Sequence, residues 1–198
     1  TALEEGCRRL EMPCIAVLDP VVSTMARYLG ARISTRVGAQ HAVDNDYFDR
    51  MEALNYAIAH DDGAGGENLN QADVILTGVS RTSKTPTSIY LAHRGIRAAN
   101  VPLIPGQGAP PALLAAGKPI VALIASPERL ISIRRNRLLA LNQDAETPYT
   151  DQEAVRAEII EARRLFERHG WPVIDVTRRS VEETAAQIIN ILSGDRPR

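Results

Sequence analysis

The segment Gly78-Val79-Ser80-Arg81-Thr82-Ser83-Lys84-Thr85 carries the plainest chemistry in this sequence. It follows an apolar run expected to form a strand (73–77) and opens a run suited to a helix (84–94). Pro86 stands in the first turn of that helix and Gly95 just past its end. A strand-to-helix turn of this kind aims successive backbone N–H groups at one point. The helix N-terminus adds partial positive charge there, so the arrangement suits a phosphate. Lys84 is placed to reach a phosphoryl oxygen and the Thr85 hydroxyl to ligate Mg²⁺. Ser83 departs from the usual pattern, which has glycine at that position and so permits positive φ freely. A plain polar turn before a helix is the competing reading. The spacing and the strand–loop–helix context together favour a phosphate loop over 78–85.

His60-Asp61-Asp62 is the second cluster. Carboxylates at the C-terminal end of a helix face the negative end of its dipole, a placement that costs about 0.3–1 kcal/mol each when exposed. Either this is a solvated loop start, or one carboxylate is a general base for a hydroxyl nucleophile while the other orients it or holds Mg²⁺. Asp61 and Asp62 are both candidates for the base, with His60 beside them. Arg129, Arg134, Arg135 and Arg137 form a third cluster. Arg134 and Arg137 share one helical face and are candidates to clamp a phosphate, although a basic helix face is often only solvated. Asp175, ending a short strand, is either a Walker-B-like Mg²⁺ ligand or a turn residue. His41, His93 and His169 have no partner spacing and read as structural or surface residues. Cys7 and Cys14 lack the spacing of a zinc site or redox pair and read as structural thiols in a reducing compartment.

The elements that must position these residues alternate between strand and helix. Strands are expected at 15–18, 73–77, 96–104, 119–125 and 173–176. An Asp19-Pro20 turn should lead into a helix ending at Gly30, and 31–43 reads as irregular. Asp44 is expected to cap a helix with Tyr47, Met51, Leu54 and Ile58 as its apolar stripe. Gly63 to Gly66 is a glycine-rich loop. Further helices are expected at 127–141 and 153–169, the latter closed by Gly170. Ser180-Val181-Glu182-Glu183 is a capping box opening the last one. The fold class is therefore α/β, P-loop-containing, with a mainly parallel sheet flanked by helices. The sequence opens on Thr1 rather than Met. Residues 1–43 are expected to be the remnant of an N-terminal domain and linker, and 44–198 a P-loop domain.

Composition narrows the partners. With 44% apolar and 24% charged residues the chain is ordinary for a water-facing globular fold. A net charge of −1 gives no global attraction to nucleic acid or anionic membrane, so phosphate recognition must be local. No apolar run approaches the roughly 20 residues of a membrane span. A cytoplasmic protein is expected, and nothing in the sequence bars a homodimer.

The stretch Ala72-Asp73-Val74-Ile75-Leu76-Thr77 running into Gly78-Val79-Ser80-Arg81-Thr82-Ser83-Lys84-Thr85-Pro86-Thr87-Ser88-Ile89-Tyr90-Leu91-Ala92 resembles the hallmark of the pyruvate, phosphate dikinase / phosphoenolpyruvate synthase regulatory proteins. That family has serine where this chain has Ser83. Ala99-Asn100-Val101-Pro102-Leu103, His60-Asp61-Asp62-Gly63, Tyr47-Phe48-x-Arg50, Trp171-Pro172-Val173-Ile174-Asp175-Val176-Thr177 and Glu182-Glu183-Thr184-Ala185 are similar too. The likeness runs from about Cys14 to Leu192, and its SRTSKTP core is the specific part. The resemblance implies an ADP-dependent kinase acting on a threonine near the catalytic histidine of the dikinase or synthase. It also implies a phosphate-dependent phosphorylase that removes the group as pyrophosphate. Lys84 would then serve both directions, with Asp61 or Asp62 moving the proton and inorganic phosphate as co-substrate. Two other readings stand beside it: a small-molecule P-loop kinase with the arginine helix as lid, and a non-catalytic nucleotide-sensing module.

Overall fold

Four short apolar runs become a wholly parallel sheet: β1 (Val74–Gly78), β2 (Ala98–Pro102), β3 (Ile120–Ile124) and β4 (Val173–Asp175), in the order β2-β1-β3-β4. The computed structural model describes residues 2–15, 17–30, 45–64, 66–144 and 147–194. β1 is central and buried at every position, which is why it reads as a continuous apolar run rather than an alternating one. From β1 the chain crosses to β2 on one side, then returns past β1 to β3 on the other. That reversal opens a crevice at the C-terminal ends of the central strands, where α/β folds place their ligands.

The chain divides into two compact units, Thr1–Ala42 and Val43–Arg198. The first contains α1 (Ala2–Arg9) and α2 (Asp19–Leu29). Residues 15, 17 and 18 form no strand. Leu18 is instead the N-cap of α2, and Asp19-Pro20 lies in its first turn, where proline's fixed φ fits and its missing N–H costs nothing. Gly30 closes α2 in the left-handed conformation, as expected. The segment 31–43, His41 and the Asp44 cap lie outside the described residues.

The second unit carries the sheet. Its first helix, α3 (Asn45–Ala59), buries Ala53, Tyr56 and Ala57, whereas Tyr47, Met51 and Ile58 of the expected stripe are exposed. Ala53 and Ala57 meet Ala92 of α4 (Lys84–Ala92), so small residues bring the two helices close. A 3-10 turn, Gly66–Gln71, starts at the last residue of the expected glycine-rich loop and seats Leu69 under the sheet. A short α5 (Pro111–Ala115) joins β2 to β3. Between β3 and β4 come α6 (Pro127–Ala140) and α7 (Gln152–His169), each N-capped by a side chain, Ser126 and Asp151. Gly170 ends α7 at φ +64°, and the capping box of Ser180 and Glu183 opens α8 (Val181–Leu192), both as the sequence indicates. Among the described residues no helix is long and apolar enough to cross a membrane.

Gly78 is where the sheet becomes the loop. Its φ is +140°, and a Cβ there would sit 2.1 Å from the Leu123 carbonyl oxygen on β3. Backbone, not a yielding side chain, is the obstacle. Gly78→Ala should therefore cost about 3 kcal/mol or more, by combined overpacking and strain. Gly117→Ala, left-handed at φ +61° but in open space, should cost only about 1 kcal/mol. Urea denaturation of the two variants distinguishes them; equal losses would mean that the β1–β3 approach is not a constraint.

Candidate functional site

The 78–85 loop spends its carbonyls and keeps its amides. The Lys84 ammonium folds back to donate to Gly78 O (3.0 Å) and Val79 O (2.9 Å). Thr82 Oγ1 donates to Val79 O, Leu103 N to Gly78 O, Arg134 Nη2 to Ser80 O and Thr87 N to Ser83 O. Among the described residues the amides of 80–85 donate no hydrogen bond. Buried backbone donors are rarely left so, and a run of them at a helix N-terminus is an anion nest. Left-handed φ values at Arg81 (+73°) and Ser83 (+60°) shape that run. Ser83 thus takes the conformation for which glycine would be the easier choice, at a cost of about 1–2 kcal/mol. The serine does not flatten the loop.

His60-Asp61-Asp62 folds against this loop through β2. Asn100 N donates to His60 O and Gly63 N to Asn100 O, both at 2.9 Å, stitching the turn to the strand. The Asn100 side-chain amide then donates to Asp61 Oδ1 (2.6 Å), Asp62 Oδ1 (3.3 Å) and Thr85 Oγ1 (3.1 Å). Thr85 Oγ1 itself donates to Asp61 Oδ1 at 2.8 Å. A cavity of about 260 Å³ lies between them, lined by Asp62, Arg81, Ser83, Lys84, Thr85 and Asn100 among others. Asp62 faces this space with most of its acceptor capacity open; Asp61 is committed to Thr85 and Asn100. Asn100 was not singled out from sequence, although a buried amide in an otherwise apolar strand is the signal that could have found it.

The arginines divide. Arg134 is buried, bidentate to Glu158 at 2.8 and 2.9 Å, and donates to Tyr149 O as well as Ser80 O. Its guanidinium lies 4.4 Å from the Tyr149 ring centre, and the Tyr149 hydroxyl meets Ser80 Oγ at 3.0 Å and accepts from Arg81 Nε at 3.4 Å. Burial would push the Tyr149 hydroxyl up, but the Ser80 and Arg81 hydrogen bonds and the charges of Arg134 and Arg81 together leave it below its ordinary value. Arg134 therefore braces the loop with its charge already met by Glu158. Arg137 is exposed in the last turn of α6 and shares none of those contacts, so the two are not a matched clamp. Glu158 and Tyr149 escaped sequence reasoning because their partners lie far along the chain.

His60 and Asp175 sit apart from the cavity. The His60 ring is buried and stacked on Tyr56 (centroids 3.9 Å apart), with Nδ1 2.9 Å from Tyr56 O. It supports the turn from behind. Asp175 Oδ1 accepts from Thr177 N at 2.9 Å and from the Thr177 hydroxyl, a strand-end turn on the outer strand β4. Of its two sequence readings this geometry is the turn. Among the described residues no three His, Cys, Asp or Glu side chains cluster as a metal cage. Mg²⁺ needs no such cage: one or two carboxylates, a hydroxyl and phosphate oxygens suffice, and Asp61, Asp62 and Thr85 offer that oxygen set.

These features define an α/β fold with a wholly parallel sheet flanked by helices, whose loop after the central strand is compatible with a P-loop. The chain belongs to the kinase/pyrophosphorylase family, which residues 1–189 match. It is 74% identical over 196 residues to a pyruvate, phosphate dikinase regulatory protein of Caulobacter vibrioides, covering 98% of this chain and 62% of that protein. Proteins of the same name from Maricaulis maris and Bradyrhizobium diazoefficiens are 56% and 52% identical, over 98% and 99% of this chain and 70% and 71% of theirs. The chain thus spans roughly two thirds of the length of these relatives.

Burial, opposed by the nearby Asp62 and Asp61 charges, pulls the Lys84 ammonium down from 10.5 to about 8. Below that pH the folded protein carries a buried charge that the unfolded chain would hydrate. The destabilisation, about 3 kcal/mol, is fully present below pH 8 and is relieved as pH rises towards 10.5. The stability of wild type relative to Lys84→Met should accordingly climb by about that amount across this window in urea titrations. A flat difference would mean that the ammonium is not held in a desolvated site.

Proposed function

We propose that the protein is a bifunctional phosphotransferase that uses the 78–85 loop in two directions on a threonine of pyruvate, phosphate dikinase or phosphoenolpyruvate synthase. The observation that carries the reading is the run of unspent amides beside Asp62, Lys84 and Thr85. The names of the relatives support the dikinase as target, the synthase and the threonine resting on the sequence resemblance alone, and the family name supports the pairing of kinase with a pyrophosphate-linked reaction. The same reading places it in the reducing cytoplasm.

In the kinase direction the β-phosphoryl group of ADP lies on the 80–85 amides. The threonine oxygen attacks that phosphorus in line, and the bond to the α–β bridging oxygen breaks, leaving AMP. Asp62 takes the hydroxyl proton. In the phosphorylase direction an oxygen of inorganic phosphate attacks the phosphothreonine phosphorus. The P–O bond to threonine breaks, pyrophosphate leaves, and the proton returns from Asp62 to the threonine oxygen. Lys84 swings from the Gly78 and Val79 carbonyls to the phosphoryl oxygens, exchanging neutral acceptors for charged ones. Asn100 ties both carboxylates to Thr85. Mg²⁺ held by Asp61, Thr85 and phosphate oxygens would neutralise charge on the phosphoryl group. Preorganised donors and positioning are what phosphoryl transfer chiefly requires of a protein.

Lys84→Ala should lower both activities by about a hundredfold or more while the far-ultraviolet circular dichroism stays native. Asp62→Asn should slow both directions with ADP affinity nearly unchanged, whereas Asp61→Asn should raise the Mg²⁺ requirement. Mass spectrometry of the target threonine after incubation with ADP, or with phosphate, reads all three. Near-normal rates in either direction for Lys84→Ala would contradict the one-loop account, and an Mg²⁺-dependent collapse of ADP binding in Asp62→Asn would reassign that residue as the metal ligand.

A further inference from the structure

Two cations line the cavity over the 78–85 loop, Lys84 and Arg81, and they are held in different ways. Lys84 is met by the Gly78 and Val79 carbonyls. Its ammonium is lowered by burial and, to a lesser degree, by the charge of Arg81, so the two cations feel one another. Among the described residues Arg81 makes no ion pair, and the one hydrogen bond of its side chain runs from Nε to the Tyr149 hydroxyl at 3.4 Å. A guanidinium has five N–H donors, so four are left for an incoming acceptor.

Tyr149, by contrast, is fixed on every side. It stands in a tight turn where Thr150 N and Asp151 N both donate to Thr147 O, at 2.9 and 3.0 Å, just before α7 begins. Arg134 donates to its backbone carbonyl at 3.1 Å and lies 4.4 Å from its ring centre. The hydroxyl meets Ser80 Oγ at 3.0 Å, and a phenol can accept from Arg81 and donate to Ser80 at once. Burial works against it, but the Ser80 and Arg81 hydrogen bonds and the Arg134 and Arg81 charges leave the hydroxyl below its ordinary value, its oxygen polarised towards the arginine. Tyr149 does not itself line the cavity.

We infer that Tyr149 is a positioning residue for phosphoryl transfer: by taking the Nε–H of Arg81 it aims the two terminal nitrogens of that guanidinium at the phosphoryl group being moved. The inference rests on the phosphotransferase reading above and adds an arginine clamp together with the residue that sets it. A guanidinium is planar, so an acceptor on Nε fixes the direction of the remaining fork, which suits two phosphoryl oxygens. At 3.4 Å the bond from Nε is long, so it directs the arginine without competing strongly for it. Arg134, its own charge taken by Glu158, holds Tyr149 in place and contributes no free charge. Arg81 neutralises charge as it develops and exchanges no proton, so the bonds made and broken are those of the two reactions above.

Tyr149→Phe keeps the ring beside Arg134 and the carbonyl that accepts from it, and removes only the hydroxyl. Threonine phosphorylation with ADP and pyrophosphate release with inorganic phosphate are measured on the dikinase or synthase for wild type, Tyr149→Phe, Arg81→Ala, Arg81→Lys and the double variant Tyr149→Phe/Arg81→Ala, with Tm alongside. Tyr149→Phe should lower kcat about tenfold in both directions, with KM within about twofold of wild type and Tm unchanged. Arg81→Ala should lower kcat about a hundredfold, and Arg81→Lys should not restore it, because lysine has no Nε–H fork for the tyrosine to hold. In the Arg81→Ala background, Tyr149→Phe should cost less than about twofold more, the mark of a residue that acts through the arginine. Wild-type kcat in Tyr149→Phe would overturn the inference, as would a tenfold loss that persists undiminished without Arg81. A loss of kcat that comes with a fall in Tm would make the hydroxyl a packing contact and overturn it too. A wild-type protein that transfers nothing to either target would sink the proposed function and this inference together, whereas an active wild type with an equally active Tyr149→Phe sinks the inference alone.

Discussion

Everything at this site depends on how the end of β1 disposes of its carbonyls. Gly78 lies so close to β3 that no side chain fits, and Lys84, one turn later, reaches back to bind the Gly78 and Val79 oxygens. The first two acceptors of the loop are thereby satisfied, and Arg134 meets a third at Ser80. Among the described residues the amides of 80–85 are not, and a run of unspent amides at a helix N-terminus favours an anion. The buried ammonium is held at a cost to stability, its proton loosened by desolvation. An arriving phosphate relieves that cost by giving the charge a partner.

Three further pieces are built on to that turn. β2 brings Asn100, whose single amide group ties the two carboxylates and Thr85 together. α6 and α7 bring Arg134 and Glu158, an ion pair that grips Ser80 from behind and seats Tyr149 over the loop. Removing one member of such a buried pair strands the other's charge, which makes the brace rigid rather than adjustable. The loop is consequently preorganised on one side by a closed ionic contact and open on the other, towards Asp62. On the proposed reading, that asymmetry leaves a single face open to a phosphoryl group.

Much of this was legible in the sequence, and the reasons differ by element. The strand–loop–helix around Gly78, Lys84 and Thr85 could be read because its signal is local, all within a few residues of one another. The capping box at Ser180 and the Gly170 stop were readable on the same grounds. The stripe on α3 misled because Tyr47, Met51 and Ile58 outweigh alanine in any apolar pattern, while the buried contact with α4 uses Ala53 and Ala57 for their smallness. No strand forms at 15, 17 or 18, where Leu18 serves instead as the N-cap of α2. Asn100, Tyr149 and Glu158 were hidden because each acts through a partner from 15 to 69 residues away. Arg134 was identified as a phosphate contact, and only the fold shows that its charge is taken by a carboxylate.

The central claim is that the amides of 80–85 are the protein's phosphate seat. Titrating ¹⁵N-labelled protein with inorganic pyrophosphate and Mg²⁺, and following backbone amide shifts by NMR, tests it most directly. The account predicts that the 80–85 amides move together and saturate with one dissociation constant, and that the effect is lost in Lys84→Ala. Shifts that saturate elsewhere while 80–85 stay unmoved would contradict it.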